Sequence, residues 1–254
     1  LKKMLEYLIV FLIGLIFGSF LNVLIHRLPL EQSLFKPLRS VCPECQKSIK
    51  WYENIPIFSY IFLKRKCSNC NKPISLVYPV VELITAIVTL ILYINYWLIF
   101  DFIVTLTLFY TLIVMSFIDL KYKAVPDYLL ILSVVLVILI GDITNILLFA
   151  GGFVLLELIM TFYIQNIKAK VTKNKDLEKQ RALGEGDIPI AGIIGGLLGL
   201  ELGVSAICIA ALIALLPALY NLALKKSIEI AFIPYLSLGL LITLIFEFNI
   251  FKIW

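Results

Sequence analysis

The chain has 254 residues, 61% of them hydrophobic and 15% charged, with a formal net charge of +5 and a mean hydropathy of +1.02. Soluble domains are nearer half apolar and a quarter charged, so this composition excludes an ordinary soluble protein and predicts a polytopic membrane protein. The positive charges cluster in particular loops, so they read as membrane topology and not as a nucleic-acid surface.

A spanning helix needs about 20 largely apolar residues. Eight stretches meet or approach that length: 4–25, 78–97, 99–118, 128–141, 143–164, 188–200, 202–224 and 229–249. The expected fold is all-α, with about eight transmembrane helices. Residues 1–25 form the first helix, 26–78 a cytoplasmic insertion, and 79–254 the remaining membrane domain. Leu1-Lys2-Lys3 before an apolar run has the look of a signal peptide. No small-x-small cleavage site follows, so the helix reads as retained.

Orientation follows from the basic residues. The loop from His26 to Val77 holds Arg27, Lys36, Arg39, Lys47, Lys50, Lys64, Arg65, Lys66 and Lys72. The loop 165–187 holds Lys168, Lys170, Lys173, Lys175, Lys179 and Arg181, while Lys121, Lys123, Lys225 and Lys226 fall in two others. Eight spans put all of these on one side, nineteen of the 22 basic residues. Both termini then face outward, and these loops face the cytoplasm.

The first helix ends in Gly18-Ser19-Phe20-Leu21-Asn22-Val23 and stops near Pro29. Gly18 and Ser19 permit close helix approach, and Asn22 suits a hydrogen bond to a neighbouring helix. His26 is the only histidine. It reads as an interfacial residue, and its solitude excludes an HExxH zinc protease.

Two CxxC pairs follow, Cys42-Pro43-Glu44-Cys45 and Cys67-Ser68-Asn69-Cys70, 21 residues apart. In a reducing compartment that spacing favours a structural Zn2+ held by four thiolates, with no open position for hydrolysis. A CxxC redox pair is the competing reading, and it lacks the βαβ context such motifs occupy. Between the pairs, Ile49 to Tyr60 mixes aromatic and polar residues, suited either to packing on the membrane surface or to shaping a binding site. Glu82 falls just inside the second span, where a carboxylate must be paired or wet. Cys208, within an apolar span, reads as a small buried hydrophobe.

The candidate active residues are two carboxylates at the edges of membrane segments. Asp119 ends the third span, and Asp187 closes Gly184-Glu185-Gly186-Asp187 at the border between a basic loop and an apolar run. The expected arrangement is an aspartyl protease dyad. Gly184 and Gly186 would let a peptide approach the backbone, and without a preceding strand they do not read as a dinucleotide site. Pro126 and Asp127 lie in the short loop after Asp119, with Asp127 either capping the next helix or supporting the pair. Glu157 is a further intramembrane acid without a partner legible in the sequence. Phe232-Ile233-Pro234-Tyr235 reads as a kink or a groove lining at the start of the last span.

Helix ends separate the roles of the two aspartates. Asp187 at a helix N-terminus suits the base, and Asp119 at a C-terminus the acid, although Lys121 and Lys123 work against the second assignment. A proton-coupled transporter with a regulatory zinc cap is the alternative from another class, and a zinc-ribbon membrane scaffold is a third. The chain lacks the internal repeat of the first, and the second leaves the two aspartates unexplained.

These residues together resemble the type IV prepilin peptidases, bifunctional leader peptidase/N-methyltransferases related to other GxGD intramembrane proteases. The resemblance runs from Gly18 to about Tyr235. It rests on the Gly18–Val23 motif, the two CxxC pairs around Trp51-Tyr52-Glu53-Asn54-Ile55-Pro56, and Tyr78-Pro79 before Glu82. It continues through Asp119, Val125-Pro126-Asp127 and Gly184–Asp187. It implies Asp119 and Asp187 as catalytic residues and cleavage of a basic prepilin or pseudopilin leader after glycine, at the cytoplasmic face of a bacterial inner membrane. It also implies methylation of the new N-terminus with S-adenosylmethionine, associated with the insertion 26–78. The expected partners are the prepilin substrates and the lipid bilayer, without nucleic acid. Two positions depart from the family pattern: Pro189 stands where lysine is common, and Arg65 where glycine is usual.

Overall fold

The computed structural model describes residues 2–34, 40–96, 98–172, 177, 180–224 and 230–252. The basic residues Lys36, Arg39, Lys173, Lys175, Lys179, Lys225 and Lys226 lie outside this set. The described residues are helical, with no β-strand and two isolated bridges. Helix α1 runs Lys2–Arg27, α2 Phe58–Phe62, α3 Val77–Asn95, α4 Ile99–Tyr122 and α5 Asp127–Ile140. They are followed by α6 at Ile143–Phe162, α7 at Ala169–Thr172, α8 at Asp187–Ala223 and α9 at Ile233–Phe246.

Among the described residues, five helical segments are long and apolar enough to cross a membrane: Lys2–Leu30, Val77–Asn95, Ile99–Tyr122, Ile143–Val171 and Asp187–Ala223. Two further apolar helices, Asp127–Ile140 and Ile233–Phe246, are shorter. The sixth and seventh expected spans merge into α8, whose one non-helical residue is Gly199 at φ 75° and ψ −172°. Only glycine adopts that backbone without large strain, so the expected break survives as a kink inside one segment.

Chain contacts divide the protein into two compact units, Leu1–Ile118 and Asp119–Trp254. In the first, α1 packs on α3 through Gly14 and Gly18, four residues apart and therefore on one helix face. A Cβ on Gly14 would lie 2.6 Å from Ala86 Cα, and one on Gly18 2.6 Å from Glu82 Cα, so no side chain fits. Polar side chains along this seam are satisfied internally, as lipid requires. Asn22 Nδ2 donates to Tyr78 O at 3.1 Å, and Thr89 Oγ1 donates to Thr85 O at 2.7 Å. Because that proton is committed, the Tyr110 hydroxyl donates to Thr89 at 2.8 Å.

In the second unit, α5, α6 and α9 pack around α8. The inward face of α8 is built from small residues, including Gly192, Gly195, Gly196, Gly203, Ala206 and Ala210. Cys208 corrects the sequence reading, because it is exposed and not buried. Helical periodicity turns it away from the Gly203–Ala206–Ala210 face, and an apolar thiol facing lipid costs little.

Candidate functional site

In the first unit the two CxxC segments fold into the same turn. Cys42 N–H donates to Lys47 O at 3.0 Å and Gln46 N–H to Cys42 O at 2.9 Å. The second turn repeats this, with Cys67 N–H to Lys72 O at 2.9 Å and Asn71 N–H to Cys67 O at 3.0 Å. Gln46 and Asn71, each just after the second cysteine, take matching left-handed φ values of 58° and 56°. A single bridge closes each turn, Val41 with Ser48 and Lys66 with Pro73, so the described residues of the insertion form knuckles without the strands of a ribbon.

The Sγ atoms of Cys42, Cys45, Cys67 and Cys70 all lie within 4.8 Å of one another, and Cys42 Sγ is 3.9 Å from Cys70 Sγ. A tetrahedron with metal–sulfur bonds of about 2.3 Å has edges of about 3.8 Å, so these four residues fit a metal ion. Backbone N–H groups of Cys70 and Asn69 lower the Cys67 thiol to about 7, which favours the thiolate a metal needs. The Lys72–Glu44 ion pair at 3.1 Å ties one turn to the other. Arg65 sits at φ 64°, a left-handed conformation natural to glycine, so the departure from the family pattern falls where the backbone prefers glycine.

Glu82 is buried, 7% exposed, and its Oε2 accepts from Ile57 N–H at 2.8 Å. The Ser19 side chain lies beside it. Ile57 itself takes φ 60°, a costly conformation for a β-branched residue that surrounding contacts must hold. Ser19 and Glu82 are thus one cluster, bearing on the segment between the knuckles. Trp51 and Phe62 in that segment remain 82% and 80% exposed. His26 lies partly buried in the last turn of α1.

In the second unit, Asp119 and Asp187 are buried, at 7% and 6% exposed. Asp187 is the first residue of α8, and its Oδ2 accepts from Gly184 N–H at 3.0 Å. Asp119 lies in the last turns of α4, and its Oδ2 accepts from Ile233 N–H, the first residue of α9, at 3.2 Å. The two carboxylates are close enough to interact electrostatically. Three chain segments therefore converge on one acid pair, and each acid is aimed by a backbone donor.

The supporting residues fall around this pair with different roles. A Cβ on Gly184 would sit 3.1 Å from Asp187 Oδ2, and one on Gly186 3.2 Å from Ile233 Cδ1. Both glycines thus make room for the site itself. Glu185 is exposed and pairs with Arg181. Pro126 is the N-cap of α5, and Asp127 is its exposed first residue. Pro189 stands in the first turn of α8, where its missing N–H costs no helical hydrogen bond. Ile233 is the contributor that the sequence did not single out. Its signal was Pro234, which marks a helix start whose first N–H groups lack helical partners.

Residues 12–96 match the model of the bacterial peptidase A24 N-terminal domain, and residues 106–219 that of the type IV leader peptidase family. A prepilin leader peptidase/N-methyltransferase of Vibrio cholerae is 35% identical over 210 residues, covering 77% of this chain and 79% of that protein. The chain belongs to this family. The leader peptidase/N-methyltransferase of Aeromonas hydrophila is 30% identical over 269 residues, covering 92% of this chain and 89% of its own. That of Myxococcus xanthus is 41% identical over 116 residues, 46% of this chain and 34% of that protein. No solved structure matches the chain significantly. As a member of the leader peptidase family, the protein is a multi-pass membrane peptidase with methyltransferase activity.

Proposed function

We propose that Asp119 and Asp187 are the catalytic pair of a membrane aspartyl endopeptidase. Its substrate is a type IV prepilin or pseudopilin, cut after the glycine that ends a basic leader. The observation that carries this reading is the pair itself: two buried acids at helix ends, each oriented by a backbone N–H from a different segment. Burying two like charges is expensive, and the cost is lowest when the pair shares one proton. One ionised carboxylate then takes a proton from water, and the resulting hydroxide adds to the scissile carbonyl carbon. The protonated partner donates to the carbonyl oxygen and recovers that proton as the carbonyl reforms, while the leaving nitrogen takes the proton first captured from water as the C–N bond breaks. Asp187, at the N-terminus of α8, serves as the base, and Asp119, near the C-terminus of α4, as the acid.

Placement suits such a substrate. A basic leader stays in water while the apolar segment after it enters the bilayer, so the cleaved bond lies at the membrane edge. Both aspartates stand at the ends of apolar helices, and the loops beside them in sequence carry the exposed acids Asp127 and Glu185. The distribution of basic residues favours eight crossings in a bacterial inner membrane, with this edge on the cytoplasmic side. Eight segments are available if α8 crosses twice about Gly199 and the two shorter helices also cross.

Cys42, Cys45, Cys67 and Cys70 hold Zn2+, whose filled coordination shell gives it a structural role. The new N-terminal amine receives a methyl group from S-adenosylmethionine, and this activity is associated with the insertion 26–78. The test is to incubate the purified protein with a prepilin and S-adenosylmethionine and to weigh the products. A leader cut after glycine and a mature chain heavier by one methyl group support both halves, and intact substrate opposes the peptidase half.

A further inference from the structure

Glu157, Thr161 and Gln165 recur at intervals of four along an otherwise apolar stretch. That spacing places them on one face of α6 and the helical turn after it. Thr161 and Gln165 bond the segment that carries Asp187, and Glu157 is linked to it through Thr161. Ala182 N–H donates to Thr161 Oγ1 at 3.1 Å. The Thr161 hydroxyl donates in turn to Glu157 Oε1 at 3.2 Å, the direction left to its single proton. Gln165 Nε2 donates to Gln180 O at 3.3 Å. Gln165 itself lies in a π-helical turn, Tyr163–Lys168, a rare local winding that recurs at functional sites.

From Ala182 the backbone reaches Gly184, whose N–H holds Asp187 Oδ2. The segment 180–187 is thus held at successive backbone atoms, two of them by side chains of this polar stripe. Packing does not replace these bonds. A cavity of about 210 Å³ lies here, lined by Glu157, Arg181, Leu183, Gly184, Glu185 and Ile188. Where a cavity separates helix and loop, directional hydrogen bonds and not close-packed side chains set the spacing.

We propose that Thr161 is a positioning residue for Asp187, fixing the 180–187 segment to α6 through the Ala182–Thr161–Glu157 chain of hydrogen bonds. Thr161 touches neither substrate nor the reacting atoms; it acts through the backbone that orients the carboxylate. This rests on the reading of Asp187 as catalytic, and the test separates the two.

The experiment measures kcat and KM for prepilin cleavage by the purified full-length protein and by Thr161→Val, Thr161→Ser and Asp187→Asn. Methylation of a pre-cleaved pilin peptide is followed in parallel for the Thr161 variants. Thr161→Val keeps the side-chain shape and removes the hydroxyl. It is expected to lower kcat about 10- to 100-fold with KM within about twofold, the scale of a small displacement of a catalytic group. Thr161→Ser is expected to restore kcat to within about threefold, and methylation by both is expected to stay within about twofold of wild type. Thr161→Val with wild-type kcat beside an inactive Asp187→Asn would overturn the positioning role and leave the dyad standing. Cleavage by Asp187→Asn would instead remove the reading beneath it. Equal loss of cleavage and methylation in both Thr161 variants would also overturn the proposal, since the hydroxyl would then support the fold in general.

Discussion

Asp119 Oδ2 accepts the backbone N–H of Ile233, 114 residues away in the chain, at 3.2 Å. A helix start leaves its first N–H groups without intrahelical partners, and a carboxylate is a strong acceptor for one of them. The start of α9 therefore aims Asp119 much as Gly184 aims Asp187. Two unrelated loops thus solve one problem, which is to hold a buried acid still with a backbone donor.

Gly184 provides the sharpest test of that orientation. A Cβ at this position would lie 3.1 Å from Asp187 Oδ2, so the carboxylate must move to admit it. Gly184→Ala is expected to lower kcat for cleavage about 10- to 100-fold. Steady-state kinetics on a prepilin substrate read this, and an unchanged kcat would mean that the Gly184–Asp187 contact is dispensable.

The four-cysteine centre predicts one metal ion per chain and a structural role for it. In Cys42→Ser the metal content is expected to fall to near zero, with new proteolytic cuts within the insertion 26–78. The unit that contains Asp119 and Asp187 keeps its own packing, so cleavage activity should persist in part. Elemental analysis with limited proteolysis measures this, and full metal retention would contradict four-thiolate ligation.

Glu82 holds Ile57 in a conformation that isoleucine seldom adopts. Glu82→Ala leaves the Ile57 N–H without its acceptor, at a cost of about 1–3 kcal/mol. Because the segment between the knuckles then relaxes, methylation should fall about 5- to 150-fold, well beyond any change in cleavage, if that local free energy is read out as rate. Product masses from one reaction give both rates, and parallel losses would contradict a local role.

Gly199 separates a kink from a continuous helix. Nothing lies within 4 Å of a Cβ added there, so its backbone alone is at issue. Gly199→Ala should destabilise the protein by about 1–3 kcal/mol. In a regular helix the same change would stabilise by about 1 kcal/mol. Thermal unfolding in detergent gives the sign directly.

Much of this was legible in the sequence, and what was missed has physical causes. The apolar stretches gave most helix positions to within a few residues, because lipid forces backbone groups to pair within a segment. The CxxC spacing and the two edge aspartates stood out because thiolates and membrane carboxylates need partners. The break between the sixth and seventh expected spans was legible to within a few residues, because Gly199 takes a backbone that interrupts the helix. Cys208 was misplaced because hydrophobicity along a membrane helix does not tell core from lipid. Glu157 stood out as an acid without a partner, but Thr161 and Gln165 did not, because they bond loop backbone, which leaves no trace in side-chain identity. Ile233 is hidden for the same reason, since it acts through its N–H and any residue but proline has one.

The most direct test of the account is leader cleavage by Asp119→Asn and Asp187→Asn, each purified with its metal bound and its thermal unfolding checked against wild type. An amide neither takes the proton from water nor returns one to the substrate. Each variant should therefore lose at least about 10³-fold in rate, the scale expected when an acid–base group is removed. The double variant should lose little more than either single one, since the two carboxylates act as a unit. A folded, metal-loaded variant at either position that still cuts the leader at a rate near wild type would contradict the dyad.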